Sequence, residues 1–253
     1  MKNQNLVFLH GFPFNASSWN GQIEYFKNKF NVFAPDLLGH GNGSVAPGPW
    51  MIAHFVDELE GLFQAKRLEK AVICGLSMGG YIALHFARQY PGQVSALVLC
   101  DTQADPDSNE TKDKRYLTIE KIRREGLSPF SQDFSKAVLS ENTLKEKPQI
   151  QQQLAQMITS NKSENVRMTL GALASRLDSN PFLPTFKFPT LVLVGADDKI
   201  TPPALSRKIA DGIKGSTLHV IEQAGHLSNL EQPDVFNKHL EIFLNAIAPR
   251  EIV

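Results

Sequence analysis

The sequence is poor in cysteine, with two in 253 residues. Two cannot build a disulfide framework, and neither Cys74 nor Cys100 has a histidine beside it to suggest a metal site. Both fall in apolar runs, so they are expected to be reduced, buried, small apolar residues in a cytoplasmic protein. An excess of one charge is also missing. Lys+Arg and Asp+Glu each total 26 and the pI is about 7.1. That speaks against a nucleic-acid partner, which calls for a basic surplus. No apolar run approaches the roughly 20 residues that span a bilayer, so no membrane partner is expected. The few residues ahead of Leu6 leave no room for a signal peptide. Repeats, low-complexity tracts and long charge runs are absent from the sequence as well. What remains is 42% hydrophobic and 21% charged, ordinary for a soluble globular chain long enough for one large domain.

The chain is organised around Ala71-Val-Ile-Cys-Gly-Leu-Ser-Met-Gly-Gly80. Ala71 to Cys74 reads as a fully buried strand, and Tyr81 to Arg88 as a helix. Between them lies Gly75-Leu-Ser-Met-Gly79, the Gly-x-Ser-x-Gly of a nucleophile elbow. A bare pattern of this kind recurs by chance; a strand before it and a helix after it make it specific. The turn is sharp, which predicts a strained backbone at Ser77 and no room for a Cβ at Gly75 or Gly79.

Around this stretch strands and helices alternate. Strands are expected at Leu6–Leu9, Asn31–Ala34, Val94–Leu99, Thr190–Val194 and Leu218–Ile221. Helices are expected after Ser17 or Ser18 as N-cap, over Ile52–Gln64, over Pro202–Ile213 and from Pro233 to about Ala246. The alternation calls for a parallel sheet with helices on both faces. From Thr102 to about Phe186 the rhythm breaks. Asp101–Asp113 is polar and turn-rich. Helical stripes follow over Tyr116–Gly126, Ser131–Ser140, Pro148–Ser160 and Asn165–Leu177. The expected organisation is a core of residues 1–102 and 186–253 with a helical cap, residues 103–185, inserted in it.

A serine hydroxyl is a weak nucleophile near neutral pH and needs a base within hydrogen-bond reach, itself oriented by a carboxylate. In open α/β sheets sites form beyond the carboxyl ends of the strands. Downstream of Ser77, Asp197 and Asp198 follow one strand and His226 follows the next, in the order Ser…Asp…His. Spacing alone leaves both aspartates open. His40 and His54 precede Ser77, and His85, His219 and His239 sit within helices or a strand, so these read as structural or solvated.

The motifs His10-Gly11, Asp36–Gly41 with Ser44, Gly75–Gly79, Gly195-Ala-Asp-Asp198 and Ala224-Gly-His-Leu-Ser-Asn-Leu-Glu-Gln-Pro233 span nearly the whole chain outside the insertion. In them the sequence resembles the α/β-hydrolases, of the carboxylesterase and 3-oxoadipate enol-lactonase type. The resemblance implies a catalytic triad of Ser77, Asp198 and His226, with Asp198 chosen over Asp197 by its distance from Gly195. It implies an oxyanion hole from the backbone N–H of Phe12, after the His-Gly pair, and of Met78, after the nucleophile. Pro13 has no N–H to offer. Many relatives carry two more antiparallel strands before the His-Gly strand. Here a handful of residues precede it, so about six, mostly parallel strands are expected.

The insertion stands where relatives place a lid, which implies an apolar substrate pocket with His10, Phe14, Phe134 and Met157 on its walls. Asp101-Thr-Gln-Ala-Asp105 and Arg176-Leu-Asp-Ser179 also resemble esterase relatives, and neither is assigned chemistry. The expected activity is hydrolysis of a small to medium carboxylic ester or lactone, with no cofactor and no metal. A perhydrolase or carbon–carbon bond hydrolase would use the same triad, and a ligand sensor could keep the fold. Ser77 disfavours dehalogenase and epoxide-hydrolase chemistry, which needs a carboxylate nucleophile.

Overall fold

The computed structural model describes residues 4–248. Residues 1–3, on which the signal-peptide expectation bears, and 249–253, the end of the expected core, lie outside the described residues. The chain opens with β1 (Asn5–Leu9), α1 (Asn20–Phe26), β2 (Asn31–Phe33), α2 (Ile52–Lys66), β3 (Ala71–Leu76), α3 (Met78–Gln89) and β4 (Val94–Cys100). Five helices follow: α4 (Asn109–Glu125), α5 (Leu127–Ala137), α6 (Glu141–Glu146), α7 (Pro148–Thr159) and α8 (Ser163–Ala174). The alternation resumes with β5 (Thr190–Gly195), α9 (Pro203–Gly212), β6 (Thr217–Ile221), α10 (Ser228–Glu231) and α11 (Pro233–Ile247).

The six strands form one sheet in the order β2-β1-β3-β4-β5-β6, and every pairing is parallel. All six residues of β3 are buried, as a strand covered on both faces requires. Alternate residues divide between two cores. Val7, Leu9, Ile73 and Leu97 face α2 and α3, through Phe55, Phe63 and Phe86. Leu6, Phe8, Val72 and Val98 face Phe26 of α1 and Phe236 and Leu240 of α11. Each such fully buried side chain contributes about 1.5–3 kcal/mol.

Some boundaries differ from expectation for identifiable reasons. The first helical turn is a 3₁₀ segment at Ala16–Trp19, capped by Asn15 rather than Ser17 or Ser18. The Asn15 side chain accepts from the Ser17 N–H at 3.0 Å. Asp101–Asp113, expected to be turn-rich throughout, enters α4 at Asn109, because Ser108 caps it by accepting from the Thr111 N–H. The six-residue α6, capped by Ser140, was not anticipated. Among the described residues no strand lies between β4 and β5. The two ends of the α4–α8 stretch are tied together at Asp105, whose carbonyl accepts from Arg176 and whose side chain accepts from Asn180, and at Asp107. Asp107 pairs with Arg115 on α4 and with Arg176 just past α8. No helix among the described residues is long and apolar enough to cross a membrane.

Candidate active site

Ser77 sits between β3 and α3 with φ 52° and ψ −111°, a conformation that costs a non-glycine residue of order 1–3 kcal/mol. The surroundings hold it there. Its N–H donates to the Cys100 carbonyl at 2.9 Å, and its carbonyl accepts from the Gly80 N–H at 2.9 Å and the Thr102 hydroxyl at 2.8 Å. A Cβ on Gly75 would fall inside 3.0 Å of the Gly79 carbonyl, and one on Gly79 inside 3.0 Å of the Leu9 carbonyl. The two glycines let α3 start directly behind the strand end.

The structure brings Ser77, His226 and Asp198 together. His226 Nε2 is 2.8 Å from Ser77 Oγ, and His226 Nδ1 is 2.9 Å from Asp198 Oδ2. Asp198 Oδ1 accepts from the N–H of Ile200 and Thr201 at 2.8 and 2.9 Å, and Oδ2 also accepts from the Thr201 hydroxyl at 2.8 Å. These bonds leave Asp198 one orientation. Asp197 is exposed, its backbone N–H bonded to the Ala224 carbonyl, and its side chain makes no hydrogen bond among the described residues.

Burial works against a charged His226. The Asp198 charge and hydrogen bond, with the charges of Asp101 and Glu231 behind it, outweigh that and hold the imidazole pKa above its ordinary value. Burial likewise opposes charge on Asp198, yet His226 and the Thr201 donors hold its pKa below the usual carboxylate range.

The His226 loop is clamped by Glu231, a fully buried carboxylate that sequence reading did not single out. Its Oε1 accepts from the Gly225 N–H at 2.8 Å and its Oε2 from the Ser140 N–H at 2.8 Å. The His226 N–H in turn donates to the Val138 carbonyl at 2.9 Å. The base loop is therefore tied to the segment between α5 and α6. The signal available in sequence was a glutamate five residues after the histidine, opening no surface helix of its own.

Gly11 lies against the serine: a Cβ on it would stand 3.4 Å from the Ser77 Cβ. The N–H groups of Phe12 and Met78 make no hydrogen bond among the described residues. Met78 is the first residue of α3 and has no intrahelical acceptor. Phe12 and Phe14 meet Phe134 of α5 at centroid distances of 6.0 and 6.2 Å, and Phe130 stacks on Phe134 at 5.2 Å. Met157 turns its sulfur to the Asn15 N–H at 3.4 Å.

His10 is fully buried, with both ring nitrogens on backbone. Nε2 accepts from the Leu37 N–H at 2.9 Å, which leaves the proton on Nδ1 to donate to the Gly11 carbonyl at 3.0 Å. His40 packs edge-on against it at 5.4 Å. Burial lowers the His10 pKa to about 4 and that of His40 to about 3.

The sign follows directly. In the unfolded chain these rings gain protons below pH 6.5; in the folded chain they stay neutral down to about 4 and 3. Each ring therefore weakens folding as pH falls, by about 2 kcal/mol at pH 5. His40→Asn puts an amide N–H where Nδ1 stands, to donate to the Leu38 carbonyl, and removes the titration. It is expected to shrink the difference in unfolding free energy between pH 7 and pH 5, measured in urea, by about 2 kcal/mol. An unchanged difference contradicts a buried neutral ring.

No group of three or more metal-ligating side chains occurs among the described residues. Cys74 and Cys100 are free and buried, their sulfurs 3.7 Å apart.

The architecture has well-defined relatives. The 3-oxoadipate enol-lactonase 2 of Acinetobacter baylyi is 30% identical over 236 residues, 93% of this chain and 86% of that protein. The structure of a thermophilic esterase from Thermogutta terrifontis superposes with TM-score 0.94 at 37% identity, covering 98% of this chain and 92% of the other. The enol-lactonase from Burkholderia xenovorans gives TM-score 0.89 at 26% identity, covering 96% and 92%. A family model described as the alpha/beta hydrolase fold matches residues 4–233, and the chain belongs to that family.

Proposed function

We propose that this protein is a serine hydrolase of small to medium carboxylic esters or lactones, working through Ser77, His226 and Asp198. The observation that carries the reading is the unbroken chain of contacts Ser77 Oγ–His226 Nε2, 2.8 Å, and His226 Nδ1–Asp198 Oδ2, 2.9 Å. In this reading His226 takes the hydroxyl proton as Ser77 Oγ bonds to the substrate carbonyl carbon. Asp198 keeps the imidazole proton on Nδ1 and stabilises the imidazolium. The carbonyl electrons move to oxygen, which accepts hydrogen bonds from the N–H groups of Phe12 and Met78. One such donor is worth about 3–4 kcal/mol. The carbon–oxygen bond to the leaving alcohol then breaks, and His226 returns its proton to that alcohol. Water, deprotonated by His226, releases the acid and frees Ser77. For a lactone the leaving alcohol stays tethered to the acyl group.

Residues 103–185 act as a cap. Phe130 and Phe134 of α5 stand against Phe12, which suits an apolar acyl group beside the serine. The esterase and enol-lactonase relatives agree with this substrate class.

Purified protein is expected to turn over short-chain p-nitrophenyl esters and simple lactones many times per active site. The base works only when neutral, so kcat/KM is expected to fall as pH drops through the His226 pKa. That acidic limb should lie above 6.5, the ordinary histidine value, because the imidazole pKa is raised. Both are read from one substrate panel across pH 5–9. A single slow turnover ending in a persistent adduct would replace the hydrolase with a ligand sensor. A limb below 6.5 would mean that burial outweighs the Asp198 charge at the imidazole.

A further inference from the structure

Asp101 is the first residue past β4, and the proposed chemistry does not use it. It is fully buried, at φ 46°, in the left-handed region that non-glycine residues seldom adopt. Its own N–H donates to the Leu193 carbonyl at 2.9 Å. Among the described residues it has no ion pair with a lysine or arginine. Its acceptors are spent elsewhere. Oδ1 accepts from the Gly195 N–H at 2.8 Å. Oδ2 accepts from the Ser228 hydroxyl at 2.6 Å and the Ser228 N–H at 3.2 Å. Gly195 ends β5, three residues before Asp198; Ser228 lies two residues after His226. One buried carboxylate thus joins the strand end that delivers the acid to the loop that delivers the base.

We propose that Asp101 is a positioning residue for the Ser77–His226–Asp198 site, holding the Asp198 and His226 loops at a set separation and adding its charge behind the imidazole. The proposal rests on the hydrolase reading above. A buried carboxylate without a cationic partner is costly, and burial together with the Asp198 charge raises its pKa to about 7. Only His226 and the Ser228 and Gly195 donors act the other way. The titratable groups facing His226 are Asp198, Asp101 and Glu231, and those facing Asp101 are Asp198, His226 and the Cys100 thiol. A cation nearby, Lys147, donates to the Glu231 backbone carbonyl rather than to any of these carboxylates.

Asp101→Asn keeps the shape. Its carbonyl can still accept from Gly195, but its NH₂ then meets the Ser228 N–H, donor against donor, and the charge is gone. The expected result is a kcat lowered about 10- to 100-fold with KM within about threefold, since a displacement near 1 Å costs that much without touching the substrate. The acidic limb of kcat/KM should move to lower pH, because one of the charges favouring the imidazolium has been removed. Ser228→Ala removes one donor and keeps the fold; a smaller fall in kcat, again with KM nearly unchanged, is expected. It carries the test if Asp101→Asn does not fold.

Parent kcat and an unmoved limb in a folded Asp101→Asn overturn the proposal. So does a lowered melting temperature with unchanged kinetics, which is what a merely structural residue would give, or parent kcat in Ser228→Ala when that variant stands alone. Ser77→Ala run alongside separates the two readings. If it abolishes turnover while Asp101→Asn does nothing, only the positioning role fails; if it keeps turnover, the hydrolase reading fails and this proposal with it.

Discussion

Ser77→Ala is expected to lower kcat for ester hydrolysis on the order of 10⁶-fold, leaving a residue of roughly 10³-fold over water from the oxyanion donors and binding. The protein should stay folded. The side chain lost is one hydroxyl, bonded to His226, while the backbone contacts of residue 77 to Cys100, Gly80 and Thr102 remain. Asp198→Asn should cost about 10⁴-fold, because an amide donating to Nδ1 forces the other imidazole tautomer, with Nε2–H facing the serine. Asp197→Asn, at an exposed side chain one residue away, should match the parent. Steady-state kinetics with thermal melts decide it. A Ser77→Ala protein keeping a tenth of the activity would show that this hydroxyl is not the nucleophile, and an inactive Asp197→Asn beside an active Asp198→Asn would reassign the acid.

Gly79→Ala should be among the most damaging single methyl additions near the site. Its Cβ would press on the Leu9 carbonyl oxygen, carbonyl carbon and Cβ, all inside 3.0 Å. Those atoms belong to β1, a buried strand paired on both sides, with Leu9 next to Gly75 of β3. Neither α3 nor β1 has a flexible side chain to give way, so one must shift as a body. Forced overpacking costs typically about 1–3 kcal/mol and more when backbone is the obstacle. A loss of about 3 kcal/mol or more is expected, read as a lower urea midpoint at unchanged slope. Activity should fall further than stability, because moving α3 moves the Met78 N–H and Ser77 with it. Gly61→Ala, at a helical position with open space around the added Cβ, is the control and should be neutral or slightly stabilising. Equal melting for Gly79→Ala and the parent would mean that α3 and β1 are not in the contact described.

The strand–turn–helix at Ser77 was legible because its signals are local. An unbroken apolar run means a strand covered on both faces, and glycines at both flanks mean close backbone approach; neither needs a distant partner. The same holds for the parallel sheet. Strand–helix alternation with right-handed crossovers leaves few topologies, and the six parallel strands follow. Where local signals were weak, boundaries slipped. Asn15 outcompeted Ser17 and Ser18 as cap, and α6 is too short to show a hydrophobic period. The aspartate pair shows a deeper limit. Asp197 and Asp198 differ by one position in sequence, and only the resemblance to relatives separated them. In the fold the turn leaves Asp197 exposed and turns Asp198 inward onto the Ile200 and Thr201 amides.

By itself the sequence determined the order of strands and helices, the elbow and the set of polar residues at strand ends, because each follows from periodicity and turn chemistry within a dozen residues. The tertiary structure alone decided which of those residues meet. It gave the His10 ring nitrogens to the Leu37 and Gly11 backbone. It brought Glu231 and Asp101 to the two loops that hold Asp198 and His226. A buried carboxylate is satisfied by whichever N–H and O–H groups packing delivers to it. Those donors lie as far as 127 residues away along the chain, beyond the reach of any local pattern.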